Sequence, residues 1–209
     1  MKIWRLTELG DPLEQLRLVE EEPPTAGPGE VAIDVEAVGL AFPDVLQCRG
    51  MYQVPSGPGF VPGGESCGVV AELGDGVDGV SVGDRVVFLG SGGLAERVVM
   101  PAAGVHRVPD GVSAEVAAAI PINYCTTLYA LHDRAALQAG ETVLVTGAAG
   151  GTGTAAIELA KAAGASVIAV AGGSEKVELA RRVGADTVID HRATPDWVDA
   201  VREASGGGV

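Results

Sequence analysis

The amino-acid sequence predicts an α/β chain in two parts of unlike grammar: a mostly antiparallel β half forming a partly open barrel, then part of a doubly wound parallel sheet. Three observations carry that expectation. Up to about residue 110, short apolar runs are separated by Gly, Pro and Asp; after residue 113, strand-like and helix-like runs alternate; and a glycine-rich loop lies where the first of those later strands meets a helix. With 209 residues, 47% apolar and 20% charged, the chain has the length and composition to bury a core rather than stay disordered.

In the first half, the run from residue 30 to 38 places Val31, Ile33, Val35 and Ala37 on one face of a strand. Residues 67–73, 84–89 and 95–100 read as further strands, with Asp75-Gly76 and Asp78-Gly79 as turn dipeptides. In the second half, Ser113 caps a helix over 114–119, and Pro121 opens another that runs to about Ala136. Residues 141–146 form a β-branched run of the kind expected of a fully buried parallel strand. Helix 152–163, strand 166–171, helix 174–183, strand 187–190 and a weak helix 195–204 follow. The order βαβαβ is half of a doubly wound nucleotide-binding sheet.

Composition narrows the function. The chain holds 28 acidic against 14 basic residues, a net charge of −14, and 18 of the acids precede residue 121. Nucleic acid and anionic lipid are poor partners for it, because both need clustered Lys and Arg. Cys48, Cys67 and Cys125 are odd in number and far apart, which argues against a disulfide framework or a four-cysteine zinc site and for a reducing compartment. No stretch approaches about 18 uninterrupted apolar residues, and the first residues lack the apolar core of a signal peptide. A soluble cytoplasmic protein without membrane contact is expected.

The most informative segment is Thr146-Gly147-Ala148-Ala149-Gly150-Gly151-Thr152-Gly153. Aligned on Ala148, Gly150 and Gly153, it is a dinucleotide fingerprint with alanine at the first position. Gly150 lets backbone approach a diphosphate, Gly153 lets helix and strand pack closely, and Gly151 and Thr152 open the helix whose free N–H groups face the phosphates. An NAD site places a carboxylate at the end of the second strand. Here that strand ends Ala171-Gly172-Gly173-Ser174. Ser174 and Lys176 suit a 2′-phosphate instead, which makes NADPH the expected cofactor; Lys176 also reads as a solvated helix lysine. Gly64-Glu65-Ser66-Cys67-Gly68 matches the hydrolase G-x-S-x-G pattern but lacks its strand–turn–helix setting. His106, His132 and His191 read as surface or packing residues.

A β-rich half followed by this fingerprint resembles the medium-chain dehydrogenase/reductase superfamily, and within it the zinc-free NADPH:quinone oxidoreductases of the ζ-crystallin-like branch. The stretches that carry the resemblance are 38–46, Gly50-Met51-Tyr52, 60–70, Val82-Gly83-Asp84-Arg85-Val86, 121–131, the loop at 146–153, and Gly184-Ala185-Asp186 with Val188-Ile189-Asp190. The resemblance implies a GroES-like substrate and catalytic domain over residues 1–122 and a partial Rossmann domain, strands one to three only, over 123–209. It implies hydride transfer from NADPH to a small-molecule quinone or activated alkene. Tyr52, with Ala41 and Phe42, would line the acceptor pocket and donate a proton or hydrogen bond; an ordinary half-buried tyrosine is the alternative. Thr126 would contact the nicotinamide, or else serve capping or packing. His191 stands where relatives carry a tyrosine near the adenosine phosphate, and a surface histidine is the alternative.

Zinc-dependent members place a Cys in the stretch occupied here by Leu40-Ala41-Phe42 and a His where Gly64 lies, so no metal is expected. An acrylyl-CoA-type enoyl reductase and a non-catalytic, crystallin-like nucleotide-binding chain remain alternatives. The sequence stops at Ser205-Gly206-Gly207-Gly208-Val209, where the family would begin a fourth strand. The expectation is therefore an N-terminal portion of a longer reductase, or one whose missing part comes from another chain, with the strand carrying Val143 and Val145 at an open edge and the full-length form homodimeric.

Overall fold

The computed structural model describes residues 1–209 in two compact units, Met1–Ile122 and Asn123–Val209. The first unit opens with β1 (Lys2–Leu6), a short helix α1 (Pro12–Gln15) and β2 (Leu16–Glu20), and the two strands pair antiparallel. Asp11 caps α1 by accepting the Leu13 N–H.

The main sheet of this unit has five strands: β3 (Glu30–Gly39), β4 (Glu65–Leu73), β5 (Arg85–Leu89), β6 (Arg97–Pro101) and β7 (Val105–Arg107). They pair antiparallel in the order β6-β3-β4-β5-β7, so consecutive strands β6 and β7 stand on opposite edges. Only Ala102–Gly104 joins them. Four residue steps span at most about 14 Å, whereas the edges of a flat five-stranded sheet stand about 19 Å apart. The sheet must curl on itself, which is the partly open barrel. Inside lie Val31, Ile33, Val70, Val86, Phe88 and Val98. Irregular register between Ala32 and Ile33, and again between Val35 and Ala37, breaks the simple alternation of β3 and buries Ala32 alongside Val31 and Ile33.

Two carboxylates lie inside this unit. Asp44, on α2 (Phe42–Cys48), is buried and accepts the N–H groups of Ala41, Gly63 and Gly64. Glu65 is buried and accepts the Ile122 N–H at 2.7 Å; desolvation, with Asp44 adding to it, raises its pKa even though the Ile122 bond opposes. Helix α3 (Ala114–Ala118) starts where Ser113 Oγ accepts the Val116 N–H.

The second unit begins with α4 (Asn123–Leu128), which continues through wider turns over Tyr129–Arg134. Its start lies two residues beyond the proline expected to open it. Then come β8 (Thr142–Thr146), α5 (Gly151–Ala162), β9 (Ser166–Ala171), α6 (Ser174–Arg182), β10 (Thr187–Asp190) and α7 (Trp197–Ala204). The three strands form a parallel sheet in the order β10-β9-β8, a partial Rossmann sheet. Val145, Ile157, Ala160, Val167 and Ala169 pack between sheet and helices. β8 carries the apolar run of an interior strand but stands at an edge of this sheet, as expected: it pairs with β9 alone, and only Val145 of its residues is buried. No helix is long and apolar enough to cross a membrane.

Gly68 shows how tightly the barrel strands approach. A Cβ there would lie 2.2 Å from the Asp34 carbonyl oxygen. Replacing Gly68 with Val should therefore push β4 off β3 and destabilise the protein by about 1–3 kcal/mol. Chemical denaturation checks this; an unchanged midpoint would show that the bulged register absorbs the side chain.

Candidate functional site

The site is built on backbone first. Gly147 turns the chain out of β8 with a φ of +61°, a region that glycine enters without strain. Gly150 caps α5 with no side chain, and its own N–H is held by the Gly147 carbonyl at 2.9 Å. The next three N–H groups, of Gly151, Thr152 and Gly153, lie in the first helical turn, where no intrahelical acceptor exists. Together with the helix dipole they form an anion-binding end. A Cβ on Gly153 would stand 2.4 Å from the Gly147 oxygen and 2.8 Å from the Ala148 Cα, so the turn seats directly on the loop and leaves Ala148 wholly buried.

Asn123 braces this turn from α4. Its Oδ1 accepts the Thr152 hydroxyl at 3.2 Å, and its side chain fills the space a Cβ on Gly151 would need, 2.7 Å away. The buried Thr127 hydroxyl donates to the Asn123 carbonyl at 2.7 Å. Thr126 is exposed on the same helix.

The exits of β8 and β9 border a cavity of about 460 Å³ whose lining includes Gly147, Gly150, Gly172, Lys176, His191 and Arg192. No carboxylate lines it, and neither Lys176 nor Arg192 has one within 4.0 Å. The nearby Asp190 is turned to the backbone: its Oδ1 accepts the N–H of Gly173 at 3.1 Å and of Arg192 at 2.9 Å. Those two bonds hold its carboxyl below the usual range. An open glycine approach, three free N–H groups and unpaired cations fit a diphosphate-bridged nucleotide that carries a further phosphate.

The cavity brings together Gly150, Lys176 and His191 among the residues named from sequence. Gly151, Thr152 and Gly153 form the adjoining helical turn, and Ser174 is the exposed first residue of α6. In the first unit, Ala41 precedes α2, Phe42 opens it at 70% exposure, and Tyr52 is half-buried beyond it. Ser66 lies within β4, fully buried with its Oγ unbonded, so the hydrolase pattern forms no nucleophile elbow. His106 and His132 are exposed. Sequence reasoning missed Arg192 and Asn123. No His, Cys, Asp and Glu side chains gather in threes that could hold a metal ion.

Comparison with known proteins bears on this geometry. Residues 27–110 match the family model described as alcohol dehydrogenase GroES-like domain, and residues 151–209 match the one described as zinc-binding dehydrogenase. A solved structure described as an NAD-dependent alcohol dehydrogenase superposes with a TM-score of 0.91 at 32% identity, over 99% of this chain and 68% of that one. The chain belongs to the medium-chain dehydrogenase/reductase superfamily. Within this superfamily, Escherichia coli quinone oxidoreductase, solved as a complex with NADPH, gives a TM-score of 0.90 at 32% identity, covering 99% of this chain and 63% of that one. Mouse quinone oxidoreductase-like protein 2 is 41% identical over 204 residues, which is 97% of this chain and 57% of the mouse protein. The segment matched by the zinc-named model holds no cysteine and one histidine, His191.

The Asp190 brace yields a pH prediction. Because its pKa is lowered in the folded chain, its contribution is fully present above the ordinary carboxylate value of about 3.9 and is lost as pH falls through the lower folded value. Amide-exchange protection at Gly173 and Arg192 should hold from neutral pH down to about 4 and weaken below it. Asp190→Ala should remove that protection at every pH; protection that survives the substitution would discount the brace.

Proposed function

We propose that this chain is the acceptor-facing and nucleotide-binding part of a zinc-free, NADPH-dependent reductase that delivers hydride to a quinone or an activated alkene. The observation that carries the reading is the carboxylate-free, cation-lined cavity beside the glycine loop. The NADPH held by the E. coli relative supports it. The NAD-dependent relative does not transfer as readily, because a ribose 2′-hydroxyl calls for a strand-end carboxylate. Position 172–173 here is Gly-Gly, and Asp190 is engaged by backbone.

In this reading the N–H groups of Gly151, Thr152 and Gly153 hold the diphosphate, while Ser174, Lys176 and His191 face the 2′-phosphate. Bound NADPH supplies the hydride. Thr126 orients the nicotinamide end, and Ala41 and Phe42 give the acceptor an apolar wall that excludes water. Tyr52 donates to the acceptor oxygen as negative charge develops there. The donor set argues for the zinc-free branch: the segment around Leu40-Ala41-Phe42 and position Gly64 offers no thiolate or imidazole. An acceptor that is already conjugated needs no Lewis acid to accept hydride.

NADPH should bind at least about tenfold tighter than NADH, and Lys176→Ala should forfeit roughly that factor. Calorimetry with both cofactors checks this, and an untouched preference would remove Lys176 from the phosphate site. NADPH oxidation should be supported by quinones or enones in preference to enoyl-CoA esters. It should also survive chelation; stoichiometric zinc in protein purified without added metal would overturn the zinc-free assignment.

A further inference from the structure

We propose that β8 is a self-association edge: two copies of this chain pair antiparallel through Thr142–Thr146 about a two-fold axis at Leu144, joining their parallel sheets into one. The strand reads Thr-Val-Leu-Val-Thr, the same in both directions. Antiparallel pairing centred on Leu144 therefore sets Thr142 opposite the partner's Thr146, Val143 opposite the partner's Val145, and Leu144 opposite its own counterpart. Like side chains meet at every position, and Thr–Thr and β-branched pairs across strands stabilise a sheet. Glu141, just before the strand, falls opposite Gly147, so no like charges meet.

The backbone is in phase with that register. Ser166 N–H donates to the Glu141 carbonyl, and the parallel pairing runs from Thr142 beside Ser166 to Thr146 beside Val170. Successive residues of a strand turn their N–H and C=O groups to opposite sides, so residues 141, 143 and 145 bond β9 while Thr142, Leu144 and Thr146 face the open edge. In an antiparallel pair, two outward-facing residues set opposite each other exchange both backbone bonds. All three outward-facing residues meet such a partner when the axis passes through Leu144. Beside this edge, Leu131, Ala135, Leu137, Val143 and Leu144 line an apolar groove of about 520 Å³. Gly208 and Val209 reach the same groove without forming a strand beside β8.

Charge also sets this edge apart. Every other strand that ends a sheet carries a charged side chain: Lys2 in β1, Arg17 in β2, Arg97 in β6, Arg107 in β7 and Asp190 in β10. β8 has no charge and no proline, the devices that keep exposed edges from pairing. The occupant is a second copy because both matches, of side chains and of backbone phase, are matches of the strand with itself. A contact of that kind uses the same patch on both copies and closes at two.

Sedimentation of the wild-type chain across a concentration series should show a monomer–dimer equilibrium, the dimer having twice the 21.0 kDa chain mass. Thr142→Lys combined with Thr146→Lys sets like charges face to face in this register and should weaken the dimer by about tenfold. Thr142→Lys combined with Thr146→Glu sets opposite charges there and should keep it. Amide exchange on the wild-type chain needs no substitution: the N–H groups of Thr142, Leu144 and Thr146 should gain protection as concentration rises. A chain that stays monomeric leaves the edge to a foreign strand and overturns the proposal, and so does one that grows past the dimer. Persistence of the dimer in the first double variant, its loss in both variants alike, or exchange at these amides that ignores concentration would each overturn it too.

Discussion

The second unit depends on backbone approaching backbone where α5 meets the end of β8. With only 2.4 Å between the Gly147 oxygen and any Cβ at position 153, the first helical turn can rest there only as glycine. That seating lets Ile157 and Ala160 reach Val145, Val167 and Ala169, and it holds the free N–H groups of the first turn next to Gly150, which lines the cavity. Lifting the helix by the width of a methyl group would open the cluster and withdraw the donors together. Packing and the presentation of free N–H groups are here one requirement, and the Asn123 brace on Gly151 meets it from the other side.

Three carboxylates organise the two units by accepting backbone N–H groups. Asp44 gathers Ala41, Gly63 and Gly64, Glu65 takes Ile122, and Asp190 takes Gly173 and Arg192. Each joins segments far apart in the chain and leaves a buried or turning amide satisfied. Asp44 in particular ties the start of α2 to the Gly63-Gly64 turn that leads into β4, so both backbones keep a defined geometry.

This also explains what the sequence disclosed and what it withheld. Strands β3, β4, β5, β9 and β10 and helices α3, α5 and α6 announce themselves through local runs and caps such as Ser113. The hairpin of β1 and β2 does not, because its outer face leaves Trp4 and Leu18 40% and 49% exposed and breaks the polar alternation. Helix α2 is seven residues with a proline near its start, and its reason for forming is the Asp44 bond back to Ala41. Pro121 misled because the following N–H, of Ile122, is committed to Glu65, 57 residues earlier. The apolar run of β8 is that of an interior strand, but exposure depends on how many neighbours pair with it, and it has one. The glycine loop was legible because its function is local; Asn123 and Arg192 were not, because hydrogen bonds and clearances to distant residues give them their place.

Net charge and site charge answer different questions in this molecule. A total of −14 argues against partners that require many phosphate contacts spread over a surface. At physiological ionic strength the screening length is about 8 Å, so a bound nucleotide responds to the few groups at its own mouth. There Lys176, Arg192 and the N-terminus of α5 oppose the single charge of Asp190, whose oxygen is already bonded to two backbone amides. A dinucleotide needs only that corner to be positive. The composition that argues against nucleic acid is therefore compatible with a dinucleotide cofactor.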